Sequence, residues 1–287
     1  MYQQLHQWML DWSNTTIYLP DGLLEKEWSW QGYEEGVRLA FFRVMEELRW
    51  MESVVVQQQS YQGHIVGAVQ SVLMAYHQAY WDLRMVYAGV DEKLIDRSPG
   101  KDTWSLRDVL YHVLETEWAF YGLFRYTFQF AGTAPEWPRG NIPREFMNHH
   151  FEQDGRFHES VFDGDLSTML GFYDHLHIRI MEGLKDLPDG SLAEMIEFWE
   201  PQPMPARFRL IRFESHLRQH TIQAERTLDE QAVKTSEIKY LLRAAAAAFA
   251  SLEARLIFYP LENTDLLLKR FDQLQKFTDV IQTAWEQ

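Results

Sequence analysis

Residues 206–230 read ARFRLIRFESHLRQHTIQAERTLDE. Leu210, Phe213, Leu217, Ala224 and Leu228 recur at steps of three and four, the period of a helix face turned toward a core. The same stretch carries His216 and His220. That spacing sets both imidazoles on one face, about a turn apart, where both can reach a single ion. Taken alone, such a pair is more often solvated or singly hydrogen-bonded than metal-binding.

A second stretch changes the odds. Residues 104–118 read WSLRDVLYHVLETEW. Ser105 is a good N-cap, and Asp108 holds the N3 place of a capping box, so a helix starts here and is expected to run to about Phe130. His112 lies on it in line with Val109, Thr116 and Ala119. In a helix bundle, ligands on facing helices converge on one internal point. His112 is therefore the candidate third ligand. Three neutral imidazoles leave an ion's charge uncancelled and a position open, the pattern of a catalytic rather than a closed structural site.

Outward from these two stretches the periodicity stays helical, with no strand alternation. Helices are expected over residues 2–13, 33–58, 64–88, 167–187, 234–258 and 264–285. They are separated by turns at Leu19-Pro20-Asp21-Gly22, Pro99-Gly100, Pro188-Asp189-Gly190 and Pro260. Met169, Tyr173, Leu176, Ile180 and Leu184 form the stripe of the 167–187 helix. Residues 131–143, with three prolines and two glycines, are an irregular connection, and 144–160 is ambiguous. The Ala244–Ala248 run reads first as high helix propensity. The expected organisation is all-α: an N-terminal helical extension (1–60), a four-helix bundle (61–230), and a C-terminal helical hairpin (231–287) packed on the bundle.

Composition narrows the function classes. The 287-residue chain carries 42 acidic and 27 basic residues, a formal charge of −15. A field of that sign repels phosphate backbones and anionic membranes, so neither nucleic acid nor a membrane surface is an expected partner. The longest stretch without charged side chains, Ser53–Trp81, is too rich in glutamine for a membrane span. There is no cysteine, which removes disulfides, thiolate ligands and a cysteine nucleophile together. The opening residues lack the basic and apolar regions of a secretion signal, and the expected location is cytoplasmic. Aromatic residues at 15%, including eleven Trp, suit a thick core or a homodimer interface.

A Trp-Ser pair opening a helix, a histidine eight residues after the Trp, a long crossover, then His-x-x-x-His on the fourth helix: this order resembles the DinB/YfiT-like superfamily. The resemblance covers about residues 61–230. It implies an up-down-down-up four-helix bundle in which His112, His216 and His220 hold a divalent metal, with Zn, Ni, Fe and Mn as the candidates. Relatives include thiol-dependent S-transferases and a thiol-dependent isomerase. The implied activity is a metal-dependent S-transferase or hydrolase whose open position activates water or a low-molecular-weight thiol. The alternative is a non-catalytic helical binding or stress-response protein whose metal site is structural or vestigial.

Other polar residues weigh less. His150, Asp154 and His158 share a spacing of four, but Gly155 and the proline-rich neighbourhood favour a solvated face. His175 and His177 cannot share a helix face; His177 reads as a satisfied edge histidine, and His77 likewise. Asp108 is placed to orient His112 unless capping occupies it. Glu115, Glu117, Glu214 and Glu225 read as solvent-facing helix charges.

Overall fold

The computed structural model describes all residues except 35, 153–160, 199–201, 262 and 287. Among the described residues the chain is all-α, as expected. Ten α-helices run in order: α1 Tyr2–Thr16, α2 Val37–Tyr61, α3 Ala68–Tyr87, α4 Glu92–Ile95, α5 Leu106–Arg125, α6 Arg144–Glu152, α7 Leu166–Leu184, α8 Ala206–Glu230, α9 Glu237–Phe258 and α10 Asp265–Glu286. Among the described residues strands are limited to two antiparallel hairpins of two-residue arms, β1 Ser29–Trp30 with β2 Tyr33–Glu34, and β3 Met195–Ile196 with β4 Met204–Pro205. Among the described residues no helix is long and apolar enough to cross a membrane. The chain divides into two compact units, one of residues 1–66, 81–89 and 233–287, the other of residues 67–80 and 90–232.

In the first unit α2 is central, with α9 and α10 packed along it. Leu39, Ala40, Phe41, Val44, Leu48, Met51 and Val55 form its buried face. Ala245, Ala246, Ala248, Ala250 and Ala254 are buried along α9. The alanine run therefore serves close packing as well as helix propensity. A buried carboxylate must be paired, and Glu253 accepts from His6 Nδ1 at 2.7 Å and from Trp81 Nε1 at 2.9 Å. Helix α2 begins at Val37 rather than at residue 33. Gly36, at φ +73°, turns the chain out of the β1–β2 hairpin, and a Cβ there would lie 2.8 Å from the Lys26 carbonyl oxygen. Only glycine fits that combination without strain.

The second unit holds the four-helix bundle: the 68–80 part of α3, then α5, α7 and α8. The chain directions follow from which residues meet. Arg107 on α5 reaches Met169 Sδ on α7 at 3.5 Å, and farther along the Arg179 guanidinium lies 4.5 Å from the Trp118 ring centre. Numbers rise together, so α5 and α7 are parallel. Between α5 and α8 they run oppositely: His112 meets His220 with ring centres 4.8 Å apart, and Phe120 meets Phe213 at 5.3 Å. Between α3 and α7 the Tyr80 hydroxyl donates to Asp174 at 2.6 Å, while His77 pairs with His177. That pair too is antiparallel. The order is up, down, down, up.

Local signals behave as the residues dictate. The Asp108 N–H donates to Ser105 Oγ at 3.2 Å and the Ser105 N–H to Asp108 Oδ2 at 3.0 Å, a complete capping box. After Arg125 the helix loosens into a π-helical turn, Tyr126–Phe130, which carries it to the expected end. The ambiguous 144–160 stretch starts as α6; Asp154 and His158 lie outside the described residues.

Candidate metal centre

The capping box sets the start of α5 and hence the phase at which His112 emerges, about two turns later. On α8 the apolar stripe of Leu210, Phe213, Leu217 and Ala224 is fully buried. It draws the adjoining His216 and His220 inward, to 4% and 3% exposure.

The three rings point their Nε2 atoms at one another. His216 Nε2 is 3.2 Å from His112 Nε2 and 3.1 Å from His220 Nε2. Among the described residues this is the single group of three or more potential ligands whose donor atoms lie within 4.8 Å of one another. A tetrahedral ion with metal–nitrogen bonds of about 2.0–2.1 Å separates its ligand nitrogens by about 3.3 Å. The spacing fits such an ion.

The electrostatics agree with the spacing. Burial, then the neighbouring His220, His112 and Arg212, pushes His216 down to about 3. Burial also lowers His220, opposed by its hydrogen bond to Gln223, and it lowers His112, opposed by Glu115. All three rings are thereby held neutral, the state a metal needs. His220 Nδ1 lies 2.8 Å from Gln223 Oε1. A carbonyl oxygen only accepts, so Nδ1 carries the proton and Nε2 presents its lone pair. His216 Nδ1 is buried without a hydrogen-bond partner. Lone pairs facing one point in a buried site repel each other unless a cation or shared proton lies between them. The donor set suits divalent Zn, Ni or Fe, for which imidazole is a good ligand.

The cluster is not sealed. His112 is half-buried, and Trp104, 42% exposed, stands beside it. The indole meets the His112 ring edge-on at 4.9 Å and runs parallel to the His220 ring at 6.2 Å. On the inner side Phe120 closes against His216 at 5.8 Å. One side of the triad is thus apolar and closed, and the other reaches solvent past an indole.

Other expected residues settle differently. Asp108 is taken up by the capping box and does not orient His112 in the way metal ligands are commonly supported. His150 is not on a solvated face: it is 1% exposed, stacks on Trp118 at 4.0 Å, and its Nε2 lies 2.9 Å from the Trp118 carbonyl oxygen. The flat face of Trp118 and that buried carbonyl draw it in. His177 pairs through Nε2 with His77 and is no edge residue. With His77 it is fully buried, the two nitrogens 2.8 Å apart, its ring stacked 3.8 Å from Tyr80. His175 Nδ1 donates to the Gly171 carbonyl at 2.8 Å.

Glu117 reverses its expectation outright. It is completely buried, and burial holds its carboxyl well above the usual range. The Tyr76 hydroxyl faces it without closing a hydrogen bond of ordinary geometry. Helix α5 is covered on two sides within the bundle, by α7 and α8, so a position that looks polar in a one-sided pattern is internal. Glu115, Glu214 and Glu225 are partly exposed.

Sequence reasoning passed over three residues at the site: Trp104 as a wall, Gln223 and Arg212. Two carry a legible signal, since Gln223 stands three residues after His220 and Arg212 four before His216, both neighbouring positions on a helix. A family model described as DinB superfamily matches residues 75–224, a span that contains all three histidines. Neither the curated proteins nor the solved structures contain a match to the chain.

Proposed function

Given that the chain belongs to the DinB superfamily, we propose that it is a divalent-metal-dependent enzyme acting on a small molecule, with His112, His216 and His220 as the metal ligands. One observation carries this reading: three buried or half-buried imidazoles aim their Nε2 atoms at a common point, and that point borders solvent. The superfamily is generally metal-binding. A bound ion supplies Lewis acidity and an open coordination position.

The protein's own groups divide the remaining work. Gln223 fixes the tautomer of His220. The buried α8 stripe and Phe120 fix His216 and keep water from the inner side. Trp104 borders the side from which a small molecule enters. Of the candidates Zn, Ni, Fe and Mn, three imidazoles favour the first three, and availability in the cell decides among them as much as affinity does.

The reaction class the family favours is S-transfer to or from a thiol cosubstrate, with hydrolysis by water at the open position as the other form. The chain has no cysteine, so the thiol comes from outside as a small molecule. The reading of a purely structural site is disfavoured by the half-exposed His112 and Trp104, since structural sites are closed.

Elemental analysis of protein purified without a metal-binding tag tests the proposal. One divalent ion per chain is expected, falling to near zero in His216→Ala. Full metal content in that variant would remove the assigned site. A screen of thiol cosubstrates on the loaded protein then addresses the reaction.

A further inference from the structure

The chain has eleven Trp, and among the described residues two of them are exposed: Trp285 near the end of α10, and Trp104. Trp104 is the one beside the triad. Its ring centre lies 4.9 Å from that of His112 and 6.2 Å from that of His220, and 42% of the residue faces solvent. A large indole left in water next to convergent ligand nitrogens is an apolar surface that a bound molecule can cover.

The backbone around it is held from both sides. Upstream, Ser98 Oγ lies 2.7 Å from the carbonyl oxygens of Gly100 and Thr103, and the Gly100 N–H donates to Thr103 Oγ1 at 2.8 Å. Asp102 completes this turn at φ +62°, in the left-handed region that side chains other than glycine seldom adopt. Downstream, Ser105 enters the capping box that starts α5. Trp104 is the residue between these two anchors. Its backbone is therefore fixed before any ligand arrives, which suits a preformed platform better than a swinging flap.

We infer that Trp104 is a specificity-determining residue, and that the substrate carries a flat apolar group close to its metal-ligating atom. The flat group lies against the indole while the ligating atom reaches the three histidines. This names the substrate class of the site proposed above and rests on that reading.

The test uses protein loaded with cobalt(II), titrated with benzyl mercaptan, cyclohexylmethanethiol, mercaptoethanol and cationic cysteamine. Binding is read from thiolate-to-cobalt charge-transfer absorption. Benzyl mercaptan is expected to bind about tenfold more tightly than mercaptoethanol, as burying roughly 60 Å² of apolar surface would give. Cyclohexylmethanethiol, apolar but not flat, is expected to fall between them. Trp104→Ala should erase the preference with cobalt uptake and mercaptoethanol binding unchanged, and Trp104→Phe should keep part of it. Equal affinities in the unaltered protein, a preference for cysteamine, or a benzyl preference that survives Trp104→Ala would overturn the inference and leave the metal site standing. Loss of cobalt from Trp104→Ala and Trp104→Phe alone would make the indole a support for the ligands and would overturn it too. Failure of the unaltered protein to take up cobalt would remove the metal reading, and the inference with it.

Discussion

The bundle contains two histidine clusters, and they are built on opposite principles. At His112, His216 and His220 the ring nitrogens converge, and one ring looks out past Trp104. At His77 and His177 two rings bond to each other at 2.8 Å, stack among Tyr76 and Tyr80, and are fully buried. The first places lone pairs against lone pairs beside solvent. The second pairs donor with acceptor away from it. Counting buried histidines does not separate them; the direction of the nitrogens and the route to water do. The first arrangement needs a cation or a shared proton between its nitrogens, whereas in the second the two facing nitrogens pair with each other inside the core.

The sharpest test of that contrast lies beside the sealed cluster, at Glu117. Its carboxyl is raised well above the usual range by burial. In the unfolded chain it ionises near pH 4.3, but in the folded protein it stays protonated to a higher pH. Between those two values the folded state binds the extra proton, so stability falls as pH rises, by about 1.4 kcal/mol per pH unit for this one group. Below the unfolded value the penalty vanishes. Glu117→Gln keeps the shape and removes the ionisation. The variant is expected to match the parent near pH 4 and to be increasingly more stable above it, as measured by urea unfolding across pH. A parent that gains on the variant as pH rises would show that the carboxyl is ionised and paired in the fold.

Breaking the sealed pair itself has the next largest effect. His177→Leu leaves a ring nitrogen of His77 without its partner in a buried setting, a cost of about 1–3 kcal/mol. Unfolding free energy should drop by that amount while metal uptake at the proposed site stays unchanged. Loss of the metal in this variant would mean that the two clusters act as one unit, contrary to the division drawn above.

How much of this was legible beforehand depends on the kind of signal. Helix existence was plain because long stripes such as Leu210–Leu228 have one period, and helix α5 could be started at Ser105 because a capping box is local chemistry. His112, His216 and His220 could be grouped by helix spacing and a family pattern. Glu117 could not be placed, because a helix covered on two sides buries positions that a one-sided stripe assigns to solvent. Nor could His150, whose burial depends on the face of Trp118, thirty-two residues away. Gly36 stopped α2 through contact with a backbone carbonyl that no window around it contains. The places of Glu117, His150 and Gly36 depend on a neighbour distant in sequence, whereas the signal of Gln223 is local to its own helix.

Gln223 offers the smallest and most specific comparison, because it touches the open cluster only through a hydrogen bond to the far side of the proposed ligand His220. With its amide oxygen accepting from His220 Nδ1, His220 is held in one tautomer and one orientation. Gln223→Ala frees the ring to rotate and to carry its proton on Nε2, the atom a metal needs bare. Removing such a support costs about 10- to 100-fold in metal affinity, and the partly exposed position of Gln223 favours the lower end. Competition with a chelator should show this weakening, with the urea midpoint of the metal-free protein nearly unmoved. Gln223→Glu, which keeps an acceptor at that place, should restore affinity. A variant with unaltered affinity would mean that the backbone of α8 alone orients His220, and that the open cluster, like the sealed one, is set by packing.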